Sequence, residues 1–330
     1  MNHSRQSTRA IVVGVGRFGA LHVRAWSEAG ADVVGLCDVS DERLTAVADR
    51  FSIEELDTDA GRLIARTRPD VVVIATDEST HVDIAMAALS ADCHVFVEKP
   101  LALSGADAER IREAADAASR EVVTGQISRF AGPYRRMRMS LRDGRIGELL
   151  GMRLRRDFSR AWYADFGSRV HPVWESCIHD IDLAIGFAGR PVLRVMATQS
   201  QAAGDAAPSV VAGLFELEGG VIATIESAWL VPDAAPQTVS GAIELAGSIV
   251  GEAELLGSSG TINQRLVSDA LVEWTPEGIF TPDLSLWPEE DGAVGGALRS
   301  EIEYALAVFR GLRKNTLMPL REACWGVEAA

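Results

Sequence analysis

Lys99 follows the strand-like run of residues 94–97, between Glu98 and Pro100. A cation fixed at a strand end can stabilise negative charge on an oxygen, as when a hydroxyl gives up its proton. Further along, Glu175, His179 and Asp182 stand at i, i+4 and i+7. The same segment, Trp174 to Phe187, carries an apolar stripe of Trp174, Cys177, Ile178, Ile181, Ile185 and Ala188. On a helix the three polar residues span about 60° of circumference. One narrow polar face on a buried helix looks into a cavity or a partner network. A histidine there can act as a general base, with the acid to orient or charge it. A satisfied core histidine or a structural salt bridge is the alternative for this face. Carboxylates and histidine also bind zinc, but no further ligands with plausible spacing are evident, and no metal is expected.

These groups need elements to hold them. Ile11 to Val13 form a continuous apolar run, as in a strand buried on both faces. Gly14, Gly16 and Gly19 follow in G-x-G-x-x-G spacing, and Phe18 to Ala29 has helical periodicity. Strand, glycine turn and helix in this order form the dinucleotide fingerprint. Gly14 permits the tight turn, Gly16 leaves room for a pyrophosphate, and Gly19 lets the helix pack closely. Arg17 and Phe18, between the glycines, are further candidates to touch the dinucleotide. A second buried strand ends in Asp38, 19 residues after Gly19. An acid there accepts hydrogen bonds from ribose hydroxyls and repels a 2′-phosphate. Val39 and Ser40 offer no arginine to hold that phosphate, so NAD is expected and NADP disfavoured.

Buried strands and helices then alternate, which implies a mostly parallel, doubly wound sheet. Ligands bind outside the C-terminal ends of such strands. Thr76 ends one strand, His81 opens the helix after it, and Glu98 and Lys99 end the next strand. Lys99 is therefore expected on the nicotinamide side of the crevice, with Glu98 holding the lysine or a ribose hydroxyl.

The first domain is expected to be 1–128. From 129 to 330, an amphipathic helix at 133–147 leads into long strand-like segments at 148–159, 191–200, 209–230, 240–257 and 261–274. Glu218-Gly219-Gly220 reads as a hairpin turn. The last clear helix covers 296–313. The expected class is α/β: an N-terminal Rossmann-type sheet plus a C-terminal α+β domain with a large, mostly antiparallel open sheet. Arginines crowd residues 135–160 and read mostly as a solvated face. Arg129, Arg153, Arg155 and Arg160 are the alternative, as contacts for an anionic substrate group. Trp162, Trp229 and Trp287 suit either stacking on a sugar face or ordinary core.

The chain has 330 residues and a formal net charge of −15, which argues against nucleic acid as a partner. Cys37, Cys93, Cys177 and Cys324 are far apart and read as reduced core residues. No apolar run is long enough to span a membrane, and the polar start offers no signal peptide, so a cytoplasmic location is expected.

The glycine motif, Thr76 with His81 in T-x-x-x-x-H, the Glu98-Lys99-Pro100 tripeptide and the helix "ESCIHDIDLAIGF" occur in order. Together they resemble the glucose–fructose oxidoreductase/inositol dehydrogenase (Gfo/Idh/MocA) family over nearly the whole chain. The resemblance implies an NAD(P)-dependent oxidoreductase acting on a secondary alcohol of a sugar or cyclitol. It implies that Lys99 and His179 flank the reacting carbon, and that a cis peptide precedes the proline. Glu175 stands where these dehydrogenases usually carry aspartate. Arg129, Trp162 and Asp182 join Lys99, Glu175 and His179 as substrate contacts. A homodimer or homotetramer is implied through one face of the second sheet. Relatives that cleave glycosidic bonds with tightly held NAD, or that sense dinucleotides without catalysis, are the alternatives.

Overall fold

The computed structural model describes residues 7–163, 171–232, 235, 237–239, 242, 247–265, 271–276 and 278–330. The chain divides into two units, Met1–Gly125 with Glu290–Cys324, and Gln126–Glu289 with Trp325–Ala330.

The first unit is built on six strands: β1 (Thr8–Val13), β2 (Ala31–Cys37), β3 (Glu55–Asp57), β4 (Val71–Ile74), β5 (His94–Glu98) and β6 (Val122–Gly125). All neighbours run parallel in the order β3-β2-β1-β4-β5-β6. Ile11, Val12, Val71 to Ile74 and Val95 to Val97 are fully buried, because helices cover both faces of a parallel sheet. The helices are α1 (Arg17–Glu28), α2 (Asp41–Phe51), α3 (Ala60–Thr67), α4 (His81–Ser90) and α5 (Gly105–Ala118). Ser40, Asp59 and Ser104 cap α2, α3 and α5 by accepting from the backbone N–H three residues on. Gly16 precedes α1 and, having no side chain, supplies no side-chain cap to its first turn. The strand order reverses between β1 and β4, and Gly14 and Thr76 lie just beyond the C-terminal ends of these two strands.

Residues 290–324 return to this unit, a pairing that a linear division after residue 128 does not contain. They include β17 (Ala293–Val294), which pairs with β16 (Glu289–Glu290), and α9 (Gly296–Phe309). Val294 N donates to Glu28 Oε2 (2.8 Å), and Arg310 Nε donates to Thr8 Oγ1 (2.7 Å). Phe309 stacks on Trp26, with ring centroids 6.4 Å apart.

The second unit opens with α6 (Gly132–Arg142), followed by β7 (Leu149–Ser159) and a single turn, α7 (Arg160–Trp162). Helix α8 (Ile178–Ala188) precedes β8 (Val192–Ser200), β9 (Val210–Leu217), β10 (Val221–Val231), β12 (Ile249–Gly257) and β13 (Gly260–Arg265). The sheet order is β13-β12-β7-β10-β9-β8. β7 and β10 are parallel, and the other described neighbours are antiparallel. Side chains of β10 alternate strictly: Ala223, Ile225 and Trp229 are buried while Ile222 and Leu230 are exposed. α8 packs on β7 and β10 at the buried face. β11 (Gln237–Val239), β14 (Glu273–Thr275) and β15 (Gly278–Pro282) form a small second sheet. Residues 240, 241, 243–246 and 266–270 of the two long segments expected at 240–257 and 261–274 lie outside the described residues. The expected pairing of a parallel doubly wound sheet with a mixed, mostly antiparallel one is what the chain forms. Among the described residues no helix is long and apolar enough to cross a membrane.

Candidate functional site

The glycine turn after β1 has three different needs. Gly14 has φ +86°, and a Cβ there would lie 2.5 Å from Ala75 O. A Cβ on Gly19 would run into the carbonyl of Gly14. Gly16 has nothing within 4 Å of the Cβ position. The fold itself therefore demands glycine at 14 and 19. At 16 it leaves open space beside the start of α1. That arrangement fits a pyrophosphate: a helix start whose N-cap residue has no side chain to occupy it, the positive end of a helix, and room for close approach. Arg17 is exposed, and the half-buried Phe18 ring meets His22 edge-on at 5.2 Å.

Asp38, at the end of β2, is 7% exposed. Its Oδ2 accepts from Val15 N (2.9 Å), and its Oδ1 accepts from Ser40 N (2.9 Å) and from Arg43 Nε (3.1 Å) and Nη2 (2.7 Å). Burial works against ionisation, but these hydrogen bonds outweigh it and hold the carboxyl below its ordinary range. Arg43 lies beyond the two residues weighed in the sequence. A position five residues on, in the first turn of the next helix, is the signal that would have found it.

At the end of β5 the Lys99–Pro100 peptide is cis. Lys99 is half-buried. Glu98 Oε1 lies 2.7 Å from His22 Nε2, and Lys99 N donates to Glu98 Oε2 at 3.3 Å. Trp26 Nε1–H donates to His22 Nδ1 (3.3 Å), so the imidazole proton sits on Nε2 and points at Glu98. A Cβ on Gly125 would come within 2.8 Å of the same carboxylate. Glu98 is thus wedged and bonded from below by a histidine that the sequence did not single out. His81 is 1% exposed, with Nδ1 2.7 Å from Pro100 O and Nε2 3.4 Å from Thr76 O. Burial lowers its pKa. A neutral ring can donate to one carbonyl, and the shorter contact assigns the proton to Nδ1. His81 therefore ties the first residue of α4 to the carbonyl that follows Lys99.

In the second unit, the helix expected from Trp174 to Phe187 is not uniform. Val173–Cys177 is a π turn, and α-helix begins at Ile178. The i→i+5 turn is wider than an α turn, so Glu175 and His179 do not hold the simple i, i+4 phase assumed from 100° per residue. His179 is 9% exposed, and Glu175 is half-buried. Asp182 is paired with Arg129: Nε donates to Oδ2 (2.6 Å), and Nη2 to Oδ1 (2.8 Å) and to Asp182 O (3.0 Å). Both side chains are almost wholly buried. A Cβ on Gly186 would lie 2.8 Å from Arg129 Cζ, so glycine one turn on makes room for the guanidinium. Asp180, outside the predicted polar face, takes Arg156 Nε and Nη2 at 3.0 Å each, and Arg156 Nη2 also reaches Ser128 Oγ (3.3 Å). His179 is thus followed on the same helix by two acids, Asp180 and Asp182, each locked by an arginine from a different element. Arg156, from the stretch read as solvated, is 3% exposed. The other arginines considered for an anion are paired: Arg153 with Glu254, Arg155 with Asp157, and Arg160 with Asp205. Trp162 is 7% exposed, with its ring centroid 5.4 Å from that of Phe158.

The Arg156–Asp180 pair supports a direct expectation. Arg156→Met should cost about 3 kcal/mol, the scale for stripping the partner from a buried charge. Burial raises the Asp180 carboxyl, with Arg156 opposing that rise. The folded state then holds its proton to higher pH than the unfolded chain, and stability falls as pH climbs from the unfolded pKa towards the folded one. The deficit should be smaller near about pH 5 than near about pH 8. Urea unfolding at both values tests this, and equal deficits would contradict it.

A doubly wound sheet with an open glycine turn at its switch point, joined to a helix-backed mixed sheet, defines a dinucleotide-binding oxidoreductase architecture. The chain belongs to the Gfo/Idh/MocA family. The family model for the oxidoreductase NAD-binding Rossmann fold matches residues 8–126, and that for the GFO/IDH/MocA C-terminal domain matches 134–263. The chain is 33% identical to an inositol 2-dehydrogenase of Salmonella typhimurium over 53% of this chain and 53% of that enzyme. It is 33% identical to a D-apiose dehydrogenase of Paraburkholderia graminis over 42% of this chain and 37% of that enzyme. The chain thus spans about half the length, or less, of these curated relatives. A crystal structure of scyllo-inositol dehydrogenase from Lactobacillus casei, with bound NAD(H) and scyllo-inositol, shares the fold: TM-score 0.80, 20% identity, 98% of this chain and 95% of that one.

Proposed function

We propose that the protein is an NAD-dependent dehydrogenase acting on a secondary alcohol of a cyclitol or sugar. The observation that carries this reading is the shared edge of one sheet. The open glycine turn after β1 and Lys99 after β5 both lie at its C-terminal ends. The named relatives act on inositol and apiose, which fits a ring or chain of neighbouring hydroxyls.

NAD, when bound, supplies the hydride acceptor. The amides at Gly16 to Phe18 bind the pyrophosphate, and Asp38 takes a ribose hydroxyl. Thr76 and His81 shape the loop beside them, and Glu98 fixes the backbone of Lys99. The Lys99 ammonium stabilises negative charge on the substrate oxygen, and His179 accepts the hydroxyl proton. The C–H bond gives its electron pair away as hydride while the O–H proton passes to the imidazole, leaving a ketone. Glu175 orients or charges His179. Arg129 and Asp182, bonded to one another, set the position of α8 and its contacts to substrate, with Trp162 at a ring face.

The protein works in the cytoplasm as a homo-oligomer, without nucleic acid. The open face of the second sheet exposes Met196 (72%), Ile222 (48%) and Leu214 (40%), suited to a second copy. Sedimentation velocity tests this, and a monomer at micromolar concentration would oppose it. For the activity, inositols, aldoses and nucleotide sugars should be offered with NAD and with NADP, reading the absorbance of the reduced nicotinamide. Glycoside cleavage without net reduction, or binding without any turnover across the panel, would oppose the dehydrogenase reading.

Two glycines separate binding from folding. Gly19→Ala should lower the melting temperature, because its Cβ meets backbone. Gly16→Ala should leave melting unchanged and weaken NADH by about tenfold or more, since only the approach of the pyrophosphate is obstructed. Thermal melting of both variants reads the first effect and fluorescence titration with NADH the second, and unchanged affinity in Gly16→Ala would place the pyrophosphate elsewhere.

A further inference from the structure

We propose that Arg43 is a second determinant of nucleotide choice, a ready partner for a 2′-phosphate, so that the charge of Asp38 alone stands between this protein and NADP. The inference rests on the cofactor reading above and extends it to a residue that has no part there.

The donors around Asp38 are unevenly divided. Oδ1 carries Ser40 N and both Arg43 contacts, while Oδ2 carries Val15 N. A carboxylate oxygen accepts about two hydrogen bonds, so a ribose hydroxyl can still reach Oδ2 with Arg43 in place. Arg43 then neutralises much of the charge that would repel a phosphate at the 2′ position. Its side chain is 52% exposed, against 6% for Asp38, so the guanidinium has solvent to turn into on giving up its two bonds to Oδ1, while the carboxylate stays held by backbone N–H groups. The rim is open: Val39, between Asp38 and Ser40, is 86% exposed. Arg43 N bonds to Ser40 Oγ in the first turn of α2, which anchors its backbone whichever way the side chain turns. A planar fork with fixed backbone at this rim suits a phosphate. Adding an arginine at 39 would then be superfluous, because one is already supplied from 43.

The test is binding of NADH and NADPH to the whole protein by nicotinamide fluorescence, which needs no substrate. Arg43→Gln alone should weaken NADPH by about tenfold, the scale of one charge-assisted contact, and NADH by no more than about threefold. Asp38→Asn should tighten NADPH by about tenfold or more, and Asp38→Asn with Arg43→Gln should lose that gain. An NADH:NADPH affinity ratio unmoved by Arg43→Gln in the natural background overturns the proposal, as does a double variant that binds NADPH as well as Asp38→Asn. Failure of the natural protein to bind either nucleotide would instead remove the cofactor reading and this inference with it. Arg43→Gln touches a half-exposed side chain, so the measurement does not depend on the buried Asp38 variant folding.

Discussion

Lys99→Ala is expected to lose about two orders of magnitude or more in turnover while still binding NADH, the usual scale for removing such a donor. A hundredfold loss corresponds to about 2.7 kcal/mol of transition-state stabilisation. Binding should survive because the proposed pyrophosphate contacts belong to the turn after β1, two strands away in the sheet. Folding should survive because the backbone on either side of Lys99 is held by other groups. His22 fixes Glu98, and His81 fixes the Pro100 carbonyl. The measurement is steady-state turnover beside an NADH titration. Near-normal turnover, or a variant that does not fold, would sink the assigned role.

His179→Asn should lose a comparable factor and flatten the pH profile, while substrate still binds. Asparagine keeps a polar group of similar width but cannot exchange a proton. In the natural protein, alcohol oxidation should rise with pH, because a base must be deprotonated before it accepts a proton. Its midpoint belongs to the interacting cluster rather than to one residue. Glu175→Gln separates two geometries. A nearby carboxylate raises the proton affinity of an imidazole, so removing its charge should move the midpoint down. Glu175 lies in the π turn and His179 beyond it, so their phase depends on that wider turn. A midpoint that stays, or moves up, would mean that the turn points the carboxylate away from the ring.

The parallel sheet was legible because its central strands announce themselves. Residues 71–74 and 95–97 are unbroken apolar runs, and full burial on two faces leaves no other sequence free. The glycine turn was legible for a similar reason, since Gly14 and Gly19 are sterically forced. Side-chain partnerships were less so. The segment 296–313 read as a helix of the second domain, but helical periodicity does not say which core a helix meets, and Phe309 of α9 packs on Trp26 of the first unit. The polar face of the segment 174–187 was read as Glu175, His179 and Asp182. Asp180 is as deeply buried, because Arg156 reaches it from β7 across 24 residues of sequence. The π turn left no mark, as one extra residue in a turn needs no special composition. The pairs Asp38–Arg43 and Glu98–His22 depend on how far a long or ring side chain reaches, which spacing alone does not give.

The return of residues 290–324 bears on how the protein is made. Trp26 is fully buried, and Phe309 forms part of what it packs on. A ribosome adding about 5–20 residues per second needs roughly 10–40 s to travel from the end of β6 to the end of α9. Throughout that interval the nascent first unit lacks its closing helix, and the face of the Trp26 indole that Phe309 later covers is without that cover. Chaperones that recognise exposed aromatic surface would have their opportunity there, and protease sensitivity of ribosome-bound chains should persist until α9 has left the exit tunnel.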